Sequence, residues 1–172
     1  NNLLRIQPET IENVYDLHTK DRFLVNRRYQ RKLVWTIEEK EGFIDSISLQ
    51  YPVPLFLVAE VNYKGGKRYE IIDGMQRLEA IISFINGDIA LDGKYFDLEA
   101  TASTKYLLDE NKLTQKNPKL DRETCKKIAN YQIPISISSF SDEHEIDLIF
   151  KRINANGKHL SKQELRQAGS DT

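Results

Sequence analysis

The 172-residue chain carries 25 Lys and Arg against 26 Asp and Glu, a formal net charge of −1. That balance argues against a free-standing basic nucleic-acid binder, whose domain pI would exceed about 9, and the one Cys excludes a disulfide framework and a Cys-rich zinc site. No apolar run approaches the ~18 residues of a membrane span, and 40% hydrophobic residues suffice for the core of one domain over 1–172. A soluble, globular, cytoplasmic domain is expected. Starting Asn-Asn without Met and ending Gly169-Ser-Asp-Thr, the chain reads as a piece excised from a longer protein, with no signal peptide in view.

In chain order, the first expected helix runs from Pro8 to about Lys20, with Pro8 near its first turn and Ile11, Val14 and Leu17 on one side. A basic, irregular stretch follows from Arg22 to Lys32. Thr36 and Glu39 form a capping box opening a helix whose inward side is Ile37, Ile44, Ile47 and Tyr51, stopped by Pro52 and Pro54. Leu55–Val61 has the length and composition of a strand. Gly65-Gly66 offers a hairpin turn into a second strand, Arg68–Ile72.

The clearest helical stripe is Met75, Leu78, Ile81, Ile82 and Ile85, ended by Asn86-Gly87. Residues 92–128 are polar and weakly patterned, and are read as a mostly helical insertion. Tyr131, Ile133, Ile135 and Ile137 alternate as in a strand, which Pro134 would push to a sheet edge. Ile146, Ile149, Phe150 and Ile153 make another helical stripe, ended by Asn154–Gly157, and Ser161 with Glu164 caps a last helix. A hairpin among helices without regular βαβ alternation predicts an α+β fold.

Three segments hold polar residues that the fold alone does not require. Arg27–Lys32 is rich in guanidinium donors, with Tyr29 and nearby Trp35 as flat faces; it suits phosphate and base contacts or a plain solvated loop. Asp73-Gly-Met-Gln-Arg77 lies between a strand and the strongest helix. Gly74 permits a sharp turn or a close ligand, and the first helix amides favour an anion. Arg77 reaches the same point, and Asp73 suits either a Mg²⁺-bound water or a simple helix cap. In the third segment, Arg152 and Asn154 flank the last apolar stripe, while Asn156-Gly157 also reads as an ordinary helix stop. His18, His144 and His159 lack ligand spacing, and Cys125 has no paired His.

Taken in order, these segments resemble one family. Arg28-Tyr-Gln-Arg31 with Trp35 looks like its first box, and Ile72-Asp-Gly-Met-Gln-Arg-Leu78 is similar to its Asp-Gly-Gln-Gln-Arg signature. Phe150-x-Arg-Ile-Asn154, with Gly157, Leu160-Ser161 and Glu164-Leu-Arg166, looks like its third. The family is the N-terminal domain of GmrSD-type modification-dependent restriction enzymes and related anti-phage nucleases, which has the ParB/sulfiredoxin-like fold. Met75 departs from the usual Gln. The resemblance covers nearly the whole chain, the 92–128 insertion being its least typical part.

The resemblance implies nucleoside triphosphate binding and hydrolysis (GTP and ATP are not distinguished), dependence on Mg²⁺, and a C-terminal HNH-type nuclease region beyond this piece. In this reading Arg28, Gln30, Arg31, Gly74, Arg77, Arg152 and Asn154 hold the nucleotide. Asp73 holds the metal, Gln76 orients the attacking water, and Asp73, Gln76 and Arg77 form the catalytic set. The alternative is a DNA-binding or modification-sensing module without turnover, favoured by the basic run Lys20–Lys32. DNA is an expected partner in either case, and an oligomer is compatible with both.

Overall fold

Pro8 lies in a strand, not in the first turn of a helix. The computed structural model describes residues 3–24, 34–140, 142, 144–153 and 155, and its first element is β1 (Leu3–Thr10). Helix α1 (Ile11–Thr19) starts three residues after Pro8, with the Thr10 hydroxyl accepting from the Asn13 amide. Thr10 is a good N-cap, whereas the periodicity from Ile11 to Leu17 says nothing about where the helix begins.

The other strands are β2 (Phe23–Leu24), β3 (Phe56–Tyr63), β4 (Gly66–Asp73) and β5 (Gln132–Ser139). They form a mixed five-stranded sheet in the order β1-β5-β3-β4-β2. β3 and β4 are the expected hairpin, antiparallel, while β3 runs parallel to β5. The outermost strand β2 pairs parallel to β4. Strand β5 is therefore interior, which corrects the edge position expected from Pro134. Pro134 stands opposite Pro8, and the ladder with β3 begins only at Phe56↔Ile135. The missing amide thus falls just outside the parallel ladder, where it costs no ladder bond.

The core is filled largely from α2 (Ile37–Ser48), α3 (Met75–Asn86) and the sheet. The Thr36–Glu39 capping box is present in both directions. Phe43, Ile44 and Ile47 carry the buried side of α2, whereas Ile37 is 62% exposed and Tyr51 is exposed as well. Phe43 meets the Trp35 ring edge-on at 5.7 Å. Ile37 sits in the open first turn, and Gln50 at φ 62° redirects the chain ahead of Tyr51. Helix α3 buries Met75, Leu78, Ile81 and Ile85 as the spacing requires, but Phe84 completes the face and Ile82 is only partly buried. Gly87 ends it at φ 82°, its amide donating to the Phe84 carbonyl.

The 92–128 stretch is only partly helical and is built into the same core. It contains a 3-10 turn (Leu98–Ala100), α4 (Ala102–Asp109) and the start of α5 (Arg122–Asn130). Phe96, Leu98, Leu120, Cys125 and Ile128 join the main cluster, and Phe96 stacks edge-on against Phe84 at 5.8 Å. Buried Asp97 is held by Arg122 Nε at 3.1 Å. Cys125 is buried, its sulfur accepts from the Asp97 amide, and burial pushes the thiol up to about 11. Such a thiol is not a nucleophile. Residues 144–153 are helical (α6) and seat Ile146 in the core. Asn154, Asn156 and Gly157 of the expected stop, the Ser161–Glu164 cap and His159 lie outside the described residues.

The fold is α+β, as expected, and compatible with the ParB/sulfiredoxin-like arrangement. Among the described residues no helix is long and apolar enough to cross a membrane.

Candidate functional site: the strand-to-helix turn at Asp73–Arg77

Strand β4 ends at Asp73 and α3 begins at Met75, so Gly74 alone makes the turn. Its φ of 105° lies in the left-handed region, and a Cβ there would come within 2.9 Å of Phe56 Cδ2 and 3.2 Å of Arg77 Nη2. Glycine is required on both counts. Because the N-cap is glycine, no side chain caps α3. The first intrahelical bond runs from Leu78 N to Gly74 O, leaving the Met75, Gln76 and Arg77 amides ahead of it at the positive end of the helix.

Two of the three polar side chains of the turn, Gln76 and Arg77, are used in ways the sequence did not disclose. Gln76 Oε1 accepts from the Trp35 amide at 3.0 Å, closing a gap of 41 residues. Arg77 donates from Nη1 to the Pro54 carbonyl and from Nη2 to the Leu55 carbonyl at 3.4 Å, with its guanidinium 4.4 Å from the centre of the Phe56 ring. Burial lowers the Arg77 pKa, which the nearby Asp73 charge partly offsets. Arg77 thus clamps the entry of β3 to the start of α3. Backbone carbonyls leave no trace in residue identity, and only the Pro-x-Pro break at Pro52 and Pro54 hinted that this stretch is extended.

Trp35 and residues Ile72 to Arg77 line a cleft of about 170 Å³. Met75, where the family signature has Gln, is mostly buried at its wall. Asp73 supplies the one carboxylate among the described lining residues. No cluster of three His, Cys, Asp or Glu that could cage a metal occurs among the described residues. A single carboxylate fits a Mg²⁺ that arrives coordinated by phosphates, since this ion needs few protein ligands.

Of the expected site residues, Asp73, Gly74, Gln76 and Arg77 share this cleft, and Trp35 brings the edge of the first box to it. Arg28, Gln30, Arg31 and Asn154 lie outside the described residues. Arg152 is exposed on α6 and is not among the described residues lining the cleft. His144 is exposed, and His18 Nδ1 lies 3.2 Å from the Phe23 carbonyl.

An α+β domain with its signature gathered into one glycine-made turn at an uncapped helix start is the class that fold and site define. Residues 11–169 match the family described as GmrSD restriction endonuclease, N-terminal domain, and the chain belongs to that family. No curated protein and no solved structure matches the chain. The family sets the broad role, which is restriction-type antiviral defence.

Proposed function

We propose that the domain binds the phosphates of a nucleoside triphosphate at the Asp73–Arg77 turn and hydrolyses it slowly, so regulating DNA cleavage by a nuclease of the same system. The observation that carries this reading is the Gln76–Trp35 hydrogen bond. It brings Trp35, at the edge of the first box, against the second box at an uncapped helix N-terminus, where amides and dipole favour an anion. A cleft of about 170 Å³ is smaller than the ~300–1,000 Å³ usual for organic ligands, so it suits a phosphate end, with the base lying outward past Trp35. Phosphoryl transfer asks mainly for positioning and charge neutralisation.

In this proposal the α3 amides and the cationic Arg77 attract the phosphates, and Arg28, Gln30, Arg31, Arg152 and Asn154 enclose them. Asp73 would hold Mg²⁺, which supplies neutralisation of phosphate charge when bound. With Oε1 committed to Trp35, Gln76 has only its amide N–H groups for a water; it can position that water but cannot accept its proton. The test is a thermal-shift series with each common nucleoside triphosphate, with and without Mg²⁺, beside phosphate release. A ligand at 100 times its Kd should stabilise the native state by about 2.7 kcal/mol. No shift and no turnover with any of them would hand the site to the DNA-binding, modification-sensing alternative.

A further inference from the structure

A larger space lies away from this turn. The C-terminal half of α1, the end of α3 and one side of α4 border a groove of about 810 Å³, well within the ~300–1,000 Å³ of sites for small organic molecules. Its inner wall is fixed. Tyr15 is 2% exposed, and its hydroxyl donates to Asn86 Oδ1, tying α1 to α3. Burial, with the Asp88 charge adding to it, pushes the Tyr15 phenol up to about 12, so it remains a neutral donor. The outer wall is apolar and flat: Tyr106 is 58% exposed, with Leu107 and Leu113 partly buried beside it.

Charge and polarity narrow the occupant. On the rim, Lys20 Nζ is held by Asp16 at 2.8 Å; Asp21 and Lys112 are its other charged side chains, and His18 lines it with Nδ1 3.2 Å from the Phe23 carbonyl. Two ammonium groups against two carboxylates cancel, so a triphosphate would meet as much repulsion as attraction. A lipid tail would displace water from the polar rim and offer its charged and hydroxyl groups no hydrogen bond in exchange. A planar heterocycle has what the walls ask for: a face for the Tyr106 ring, and polar edges for Asn86 and the Thr19 and Ser103 hydroxyls. One phosphate could reach exposed Lys112. We propose that this groove is a second ligand site that takes one nucleotide unit, a nucleobase with its sugar and at most one phosphate. It does not depend on triphosphate binding at Asp73–Arg77.

The unit could be a free mononucleotide or an unpaired nucleotide within a single strand. Calorimetric titration of the whole chain with thymidine, thymidine monophosphate, adenosine monophosphate and a five-residue thymidine oligonucleotide tests the site. At least one monophosphate should bind with a submillimolar Kd. Tyr106→Ala should weaken it about tenfold. Lys112→Ala should weaken the monophosphate and leave thymidine unchanged, and Asp73→Asn should alter neither. Tyr106 and Lys112 are exposed, so the melting temperatures of Tyr106→Ala and Lys112→Ala should stay at the wild-type value. An oligonucleotide that binds more tightly than the monophosphate marks a strand as the source; equal or weaker binding marks the free nucleotide. No binding by any probe, an affinity indifferent to Tyr106→Ala, or one lost in Asp73→Asn would overturn the proposal.

Discussion

Arg77 shows how a side chain expected to face a ligand can also hold the fold together. Its place beside the α3 stripe suggests a free arm, so that Arg77→Ala would abolish nucleotide binding and leave the fold alone. Instead its guanidinium bonds the Pro54 and Leu55 carbonyls and covers Phe56. Hydrogen bonds from a charged donor contribute about 1.5–3 kcal/mol, so Arg77→Ala should lower unfolding free energy by about that much in a urea titration. Arg77→Lys should recover only part of it, because a single ammonium cannot reproduce the planar fork. Leu78→Ala, which empties a fully buried site, should cost about 2–5 kcal/mol. If Arg77→Ala unfolds at the wild-type urea concentration, the clamp contributes nothing and Arg77 is held in reserve for a ligand. Gly74, by contrast, was legible: a glycine between a strand and a strong helix had to turn the chain, and its positive φ bears that out.

At the scale of elements, the legible features were those with local causes. The capping box of α2, the glycine stop of α3 and the alternation along β5 depend on neighbours within four residues. β1 was missed because Pro8 fits a helix start as well as an edge strand, and only pairing with β5, more than 120 residues on, separates the two. The same long range hid the ion-pair system that ties the sheet together. Glu60 on β3 is 6% exposed and accepts from Arg5 on β1, from Lys67 on β4 at 3.2 Å and from Ser139 on β5 at 3.3 Å. Burial alone would raise the carboxyl, but the Arg5 and Lys67 hydrogen bonds outweigh it and hold the pKa below the ordinary glutamate value. A depressed folded pKa gives stability that is complete above the unfolded value and lost as pH falls through the folded one. Glu60→Gln should therefore cost about 1–3 kcal/mol near neutral pH, and the gap from wild type should close as pH falls below the ordinary glutamate value and through the depressed folded one. A gap that stays constant over the whole acid titration would mean that Glu60 acts through packing and not through charge.

For the whole molecule, the decisive quantity is the balance of charge. The chain is at −1 with its cations and anions nearly equal, while a duplex offers a dense row of phosphates whose counterions must be displaced. The basic run Lys20–Lys32 could still meet a few phosphates. Each such contact makes affinity fall with a logarithmic salt slope of about −0.9. The domain by itself should therefore bind duplex DNA more weakly than about 10⁻⁴ M near physiological salt, below the usual non-specific range. Binding should become measurable only at low salt, with a slope of a few units. The proposed triphosphate binding at the Asp73–Arg77 turn should vary much less over the same range, because its contacts would be made at a helix end and inside a cleft, where salt screens poorly. Fluorescence anisotropy of a labelled duplex, run beside a nucleotide titration at several salt concentrations, separates the two. Micromolar duplex affinity with a steep slope, and no nucleotide signal at any salt, would make this a DNA-reading domain whose Asp-Gly-Met-Gln-Arg turn serves as an architectural clamp.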